Sequence, residues 1–86
     1  MLTLPQWVRE GYADYVGKGR SFDYAEARRA FLAGAPEMDF KRSGLYQSFH
    51  LFVAHLLDHR HWTVERLLQG PPPLAEVAAS VRAEKP

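Results

Sequence analysis

Residues 44–60 read Gly44-Leu45-Tyr46-Gln47-Ser48-Phe49-His50-Leu51-Phe52-Val53-Ala54-His55-Leu56-Leu57-Asp58-His59-Arg60, and this run decides the fold. Leu45, Tyr46, Phe49, Phe52, Val53, Leu56 and Leu57 recur at helical intervals and fill an arc of about 140° on a helical wheel. An arc that wide suits a central packing element. The spacing therefore predicts the longest and most apolar helix of the chain here, from Ser43 or Gly44 to Arg60.

Four shorter helices are expected on either side. In residues 4–16, Leu4, Trp7, Val8, Tyr12, Tyr15 and Val16 share one side, while Gln6, Arg9 and Glu10 lie opposite. Pro5 suits the first turn of that helix, and Gly17 with Gly19 is expected to stop it. A second helix opens at Asp23, an N-cap with Glu26 three residues on, and runs to Gly34, with Pro36 beyond. Residues 35–42 read as a loop. Thr63 caps a short helix, Val64 to Gln69, ended by Gly70. After the stiff run Pro71-Pro72-Pro73, a last helix spans Leu74 to about Ala83. No stretch of useful length alternates as a strand would. The expected fold is all-α, a small bundle of four to five helices forming a single domain over residues 1–86.

Composition narrows the function. With 86 residues the chain makes one small domain at most and buries a thin core, so a partner subunit would add welcome burial. Lys and Arg number 11 against 10 Asp and Glu, a net charge of +1, which gives no electrostatic case for nucleic acid or anionic membrane. The absence of cysteine excludes disulfides, thiolate nucleophiles and Cys-type zinc sites. No apolar run approaches the roughly 20 residues of a membrane span, and the N-terminus lacks the pattern of a signal peptide. A soluble protein is expected, cytoplasmic by default.

Two constellations of polar residues could carry chemistry. His55 and His59 are four apart on the third helix and share a face, and with Asp58 they form H-x-x-D-H, near the inverted zincin pattern H-x-x-E-H. They are an alternative metal site that needs a further ligand, His61 or one from a second chain; read blandly, they are the polar flank of an amphipathic helix. His50 falls about 140° away from His55 on the wheel and cannot join them. Glu10 and Asp14, also four apart, place two carboxylates on one stripe beside Trp7, where both can ligate a metal, or one can ligate while the other orients a ligand histidine. Acids at such an edge are more commonly solvated or paired with a neighbour such as Arg9. The Gly17-Lys18-Gly19-Arg20 run lacks the spacing of a phosphate loop, Arg28-Arg29 reads as a solvated pair, and the aromatics, Tyr24 among them, read as core.

The string Leu4-Pro5-Gln6-Trp7-Val8-Arg9-Glu10-Gly11-Tyr12-Ala13-Asp14-Tyr15-Val16 resembles the P-x-W-x-x-E-G-x-A-x-Y segment of gluzincin zinc metallopeptidases. The resemblance implies that Glu10 is a zinc ligand and that Asp14 supports a ligand histidine. Gly44-Leu45-Tyr46-Gln47-Ser48-Phe49-His50-Leu51-Phe52-Val53 is similar to the later helix of that family, which implies that Tyr46 stabilises the oxyanion of the tetrahedral intermediate. The helix carrying Val64-Glu65-Arg66-Leu67-Leu68 and the short helix after it are similar to the tail of such domains.

The family's H-E-x-x-H helix, which brings two zinc histidines and the general base, should stand well ahead of Glu10. Only nine residues are there. The resemblance thus implies the C-terminal helical half of a metallopeptidase domain, not catalytic as the chain stands, with zinc as the family cofactor but no tight site on this chain alone. Its expected partner is the N-terminal half or a second copy in a homo-oligomer, with Trp7 exposed at the contact. The competing expectation is a self-associating helical interaction module with no enzymatic role.

Overall fold

In the computed structural model, residues 4–18, 21–38 and 47–84 are described. Their regular structure is entirely helical. α1 spans Gln6–Lys18, α2 Tyr24–Leu32, α3 Gln47–Ala54, α4 Val64–Gln69 and α5 Leu74–Ala83. A 3-10 turn, Pro36–Met38, follows α2, and α3 runs on into a π-helical turn, His55–His59. None of these helices is long and apolar enough to cross a membrane.

α3 is the hub. Every residue from Ser48 to Leu56 is buried, so the helix is enclosed on all sides and not along a single stripe. α1 makes the largest contact with it, and α2 and α5 pack on it as well. The apolar cluster joins Trp7 and Val8 of α1 and Phe31 of α2 to Phe49, Leu51, Phe52 and Val53 of α3. Val77, Ala78 and Val81 of α5 complete it, and the ring of Phe31 meets that of Phe52 edge-on at 5.3 Å. Full enclosure of α3 forces its polar residues inward with the apolar ones. His50 and His55 are each 1% exposed, and both need hydrogen-bond partners from neighbouring helices.

The close fit of α1 on α3 depends on Gly11. A Cβ there would stand 2.5 Å from the carbonyl oxygen of Phe49 and 2.7 Å from Cγ2 of Val53. Gly11 is buried together with Trp7 and Val8, whereas Val16, expected on the core side, is 61% exposed. α1 passes through Gly17 and ends at Lys18, because a glycine in open space lowers helix propensity without breaking the helix.

Trp7 is 5% exposed and lies within the core. The expectation that Trp7 stands uncovered at the surface is therefore corrected: it is buried in the apolar cluster of its own chain. Among the described residues, the exposed large apolar ones, Val16, Leu32 and Val64, lie on three different helices.

The caps form as their residues dictate. The Asp23 side chain accepts from the N–H of Glu26 at 3.0 Å, and Thr63 Oγ1 accepts from the N–H of Arg66 at 3.1 Å. Glu26 turns to Arg29 at 3.0 Å. After α2, Gly34 takes φ +75°, and the N–H of Ala35 bonds the carbonyl of Ala30. The end of α3 is widened: the N–H of Arg60 reaches the carbonyl of His55 and that of Trp62 the carbonyl of Leu56, both at 2.9 Å. His61 takes a left-handed φ of +58° to turn the chain there.

Candidate functional site

The acidic stripe of α1 divides between two environments. Glu10 is partly exposed, and its Oε2 accepts a hydrogen bond from Nε2 of the exposed Gln6 at 3.1 Å. Asp14 reaches across to α3, where its Oδ2 stands 2.7 Å from Nδ1 of the buried His50. Lys18, one turn on, pairs with the same oxygen at 3.3 Å. The imidazole of His50 also stacks on Phe22, with ring centres 3.6 Å apart and planes 13° from parallel. Burial lowers the pKa of His50 and outweighs the opposing pull of Asp14, so the ring is held neutral. A neutral imidazole donates from one nitrogen, and Nδ1 facing a carboxylate is the donating one. Asp14 thus fixes the tautomer and orientation of His50, a buried histidine of this chain, whereas the expectation from the sequence was support of a metal-ligand histidine.

The second set of predicted residues separates. Asp58 turns to α1 and accepts from the hydroxyl of Tyr15 at 2.7 Å, a bond that with burial pushes the Tyr15 pKa up to about 12. His55 and His59 remain neighbours, with ring centres 6.3 Å apart, but each has other partners. His55 sits between the Tyr24 hydroxyl, 3.0 Å from Nδ1, and Ser80 Oγ, 2.8 Å from Nε2. His59 stacks on Tyr24 at 3.8 Å, and its Nδ1 lies 2.7 Å from Glu84 Oε2. His61 is exposed at the left-handed turn. Tyr46 lies outside the described residues.

Among the described residues, no group of three or more His, Asp or Glu side chains is placed to hold a metal ion. Zinc needs three protein ligands in a catalytic site. Glu10 supplies one carboxylate, with Gln6 beside it. The residues described here do not by themselves fit a zinc site, and no chemical step is derived through one.

Reading the sequence missed the partners that these groups find. Tyr24 serves as a hydrogen-bonding hub, Arg28 is largely buried with its guanidinium on α5, and Ser80 and Glu84 close the network. The one local signal was the four-residue spacing of Tyr24 and Arg28, which puts them on one face of α2. Their partners are 31 to 60 residues away in sequence.

Comparisons with protein-family models, with curated protein sequences and with solved structures gave no match.

Proposed function

We propose that this chain is the C-terminal helical half of a gluzincin-like zinc metallopeptidase domain and that alone it does not hydrolyse peptides. The observation that carries the reading is the way residues 5–15 divide their work. Trp7, Val8 and Gly11 go inward and seat α1 on α3, and Asp14 is anchored on His50. Glu10 is left on the edge, partly exposed, bonded to an exposed amide that a stronger partner can displace. A carboxylate held on a rigid, packed helix and still open to solvent suits a metal ligand waiting for the rest of its site.

The remaining ligands and the base that activates water would come from an H-E-x-x-H helix on another segment. The partner that this reading requires is that other half of the domain. A second copy of the chain would have to pack through a surface that does not include the buried Trp7. Tyr46 keeps the oxyanion role that the resemblance implies.

The test begins with the codons in frame upstream of Met1, which should encode H-E-x-x-H. The longer product should bind one zinc ion and cleave a broad peptide library. Glu10→Gln should abolish both zinc retention and turnover, and the 86-residue chain alone should give no turnover. Either an upstream frame without that motif or chelator-sensitive turnover by the short chain, lost in Glu10→Gln, would overturn the reading.

A further inference from the structure

Where α5 ends, donors from two other elements converge on one carboxylate. Glu84 follows the helix in extended conformation, with ψ 131°. Its Oε1 accepts from the Tyr24 hydroxyl at 2.7 Å and faces Arg28 Nε at 3.5 Å. Its Oε2 meets His59 Nδ1 at 2.7 Å, with His55 Nδ1 behind at 3.7 Å. Burial alone would raise the Glu84 pKa, but the bonds from Tyr24 and His59 together hold it below the usual carboxylate value.

The donors do not depend on that carboxylate for their positions. Arg28 is fixed by the backbone carbonyls of Val81, at 3.2 Å, and of Glu84. Tyr24 is tied to His55, and His59 lies flat against the Tyr24 ring. Such a cradle would survive loss of the Glu84 side chain. Beside it a groove of about 380 Å³ runs between α2 and Glu84, lined by Tyr24, Ala25, Arg28, Arg29, Leu32, His59 and Glu84. Leu32, one of the few exposed large apolar side chains, lies along this groove.

We propose that Tyr24, Arg28 and His59 form a carboxylate-binding site that Glu84 occupies in cis, and that the site accepts an external monocarboxylate whose short apolar body lies along Ala25 and Leu32. Two oxygens are served from two sides, Tyr24 and Arg28 at one and His59 at the other, which matches a planar carboxylate. Arg28 is the permanent cation that faces the carboxylate, while Arg29, also on the groove, is paired with Glu26 at 3.0 Å; the cradle itself thus balances one negative charge and leaves a phosphate dianion undercompensated. Glu84 competes as a tethered ligand, so the affinity of the intact chain is reduced by the fraction of time that Glu84 fills the cradle. The proposal stands apart from the metallopeptidase reading and uses none of its residues.

The experiment titrates 4-phenylbutyrate into the intact chain, Glu84→Ala and Glu84→Gln by calorimetry, with folding followed by circular dichroism. Glu84→Ala should bind at least about tenfold more tightly than the intact chain, since the tethered competitor is gone. The neutral 4-phenylbutyramide and inorganic phosphate should bind neither protein, and adding His59→Ala should remove the gain. If Glu84→Ala does not fold, Glu84→Gln, which loses the charge and keeps the side chain, carries the same comparison. In the intact chain, the carboxyl carbon resonance of Glu84 should move as 4-phenylbutyrate displaces it. Equal affinity in the intact chain and the variants, binding of the amide as well as the acid, or a stationary Glu84 resonance at saturation would each overturn the proposal.

Discussion

At the scale of single residues, the two glycines of α1 have opposite meanings. Gly11 sits where the backbones of α1 and α3 come closest, and a methyl group there would overlap the Phe49 carbonyl. Gly17 has nothing within 4 Å of the position its Cβ would take. Gly11→Ala should therefore destabilise the chain by about 1–3 kcal/mol, the usual cost of overpacking a tight contact. Gly17→Ala should stabilise it by about 0.5–1 kcal/mol, because alanine loses less backbone entropy in a helix. Urea midpoints of the two variants test the pair, and a Gly11→Ala protein as stable as the parent would refute the close approach. The same contact explains why glycine follows Glu10: it lets the carboxylate ride on a helix pressed against the hub.

At the scale of elements, the end of α3 shows how a helix terminus can gather chemistry. The wide turn from His55 to His59 keeps both rings on the side of α2 and α5, and His61 closes it in a conformation that L-residues adopt at a cost of about 1–2 kcal/mol. Glycine has no such penalty but loses more entropy on folding, about 0.4–1 kcal/mol. His61→Gly should accordingly raise stability by roughly 0.5–1 kcal/mol, or Tm by about 3–6 °C, whereas His61→Ala, which carries the same penalty at positive φ, should bring no gain. Thermal melts of the two variants side by side decide it; equal gains would mean that losing the imidazole, and not relief of the backbone, is the cause. The sequence places the elements well because caps and breakers are local: Asp23, Thr63, Gly34 and Gly70 act within a turn of themselves. It places α1 less well at its end, because Gly17 alone is too weak a stop to outweigh the helix it belongs to.

At the scale of the whole molecule, two buried histidines tie stability to pH. Desolvation lowers the pKa of His50 and of His55 below 6.5 in the folded chain, against the opposing pull of Asp14 on the one and Glu84 on the other. The unfolded chain binds these protons first as pH falls. Stability is therefore fully present above about pH 6.5 and falls below it, by about 1.4 kcal/mol per pH unit for each histidine until the folded values are reached. Glu84, held low in the folded state, adds a loss in the same direction once pH drops below its ordinary value of 4.5. Urea midpoints should be level from pH 8 to about 7 and then decline as pH falls below 6.5; His50→Gln and His55→Gln should each make that decline shallower. A level curve down to pH 5 would show that neither ring is held neutral by the fold.

The sequence by itself determined the helical class, the capped starts of α2 and α4, the bounds of α4 and α5, and the apolar hub, since each rests on the 3.6-residue period or on a cap within one turn. It offered Asp14 as the support of a metal-ligand histidine but named no histidine for it. Only the tertiary structure decided which histidine, because enclosing α3 on every side buries His50 where a one-sided amphipathic helix would have left it at the surface. Tertiary packing likewise covered Trp7, sent Asp58 to Tyr15 instead of to His59, and drew Arg28 out of solvent onto the end of α5. Those outcomes depend on contacts between residues tens of positions apart, and no local pattern encodes the direction from which a neighbouring helix arrives.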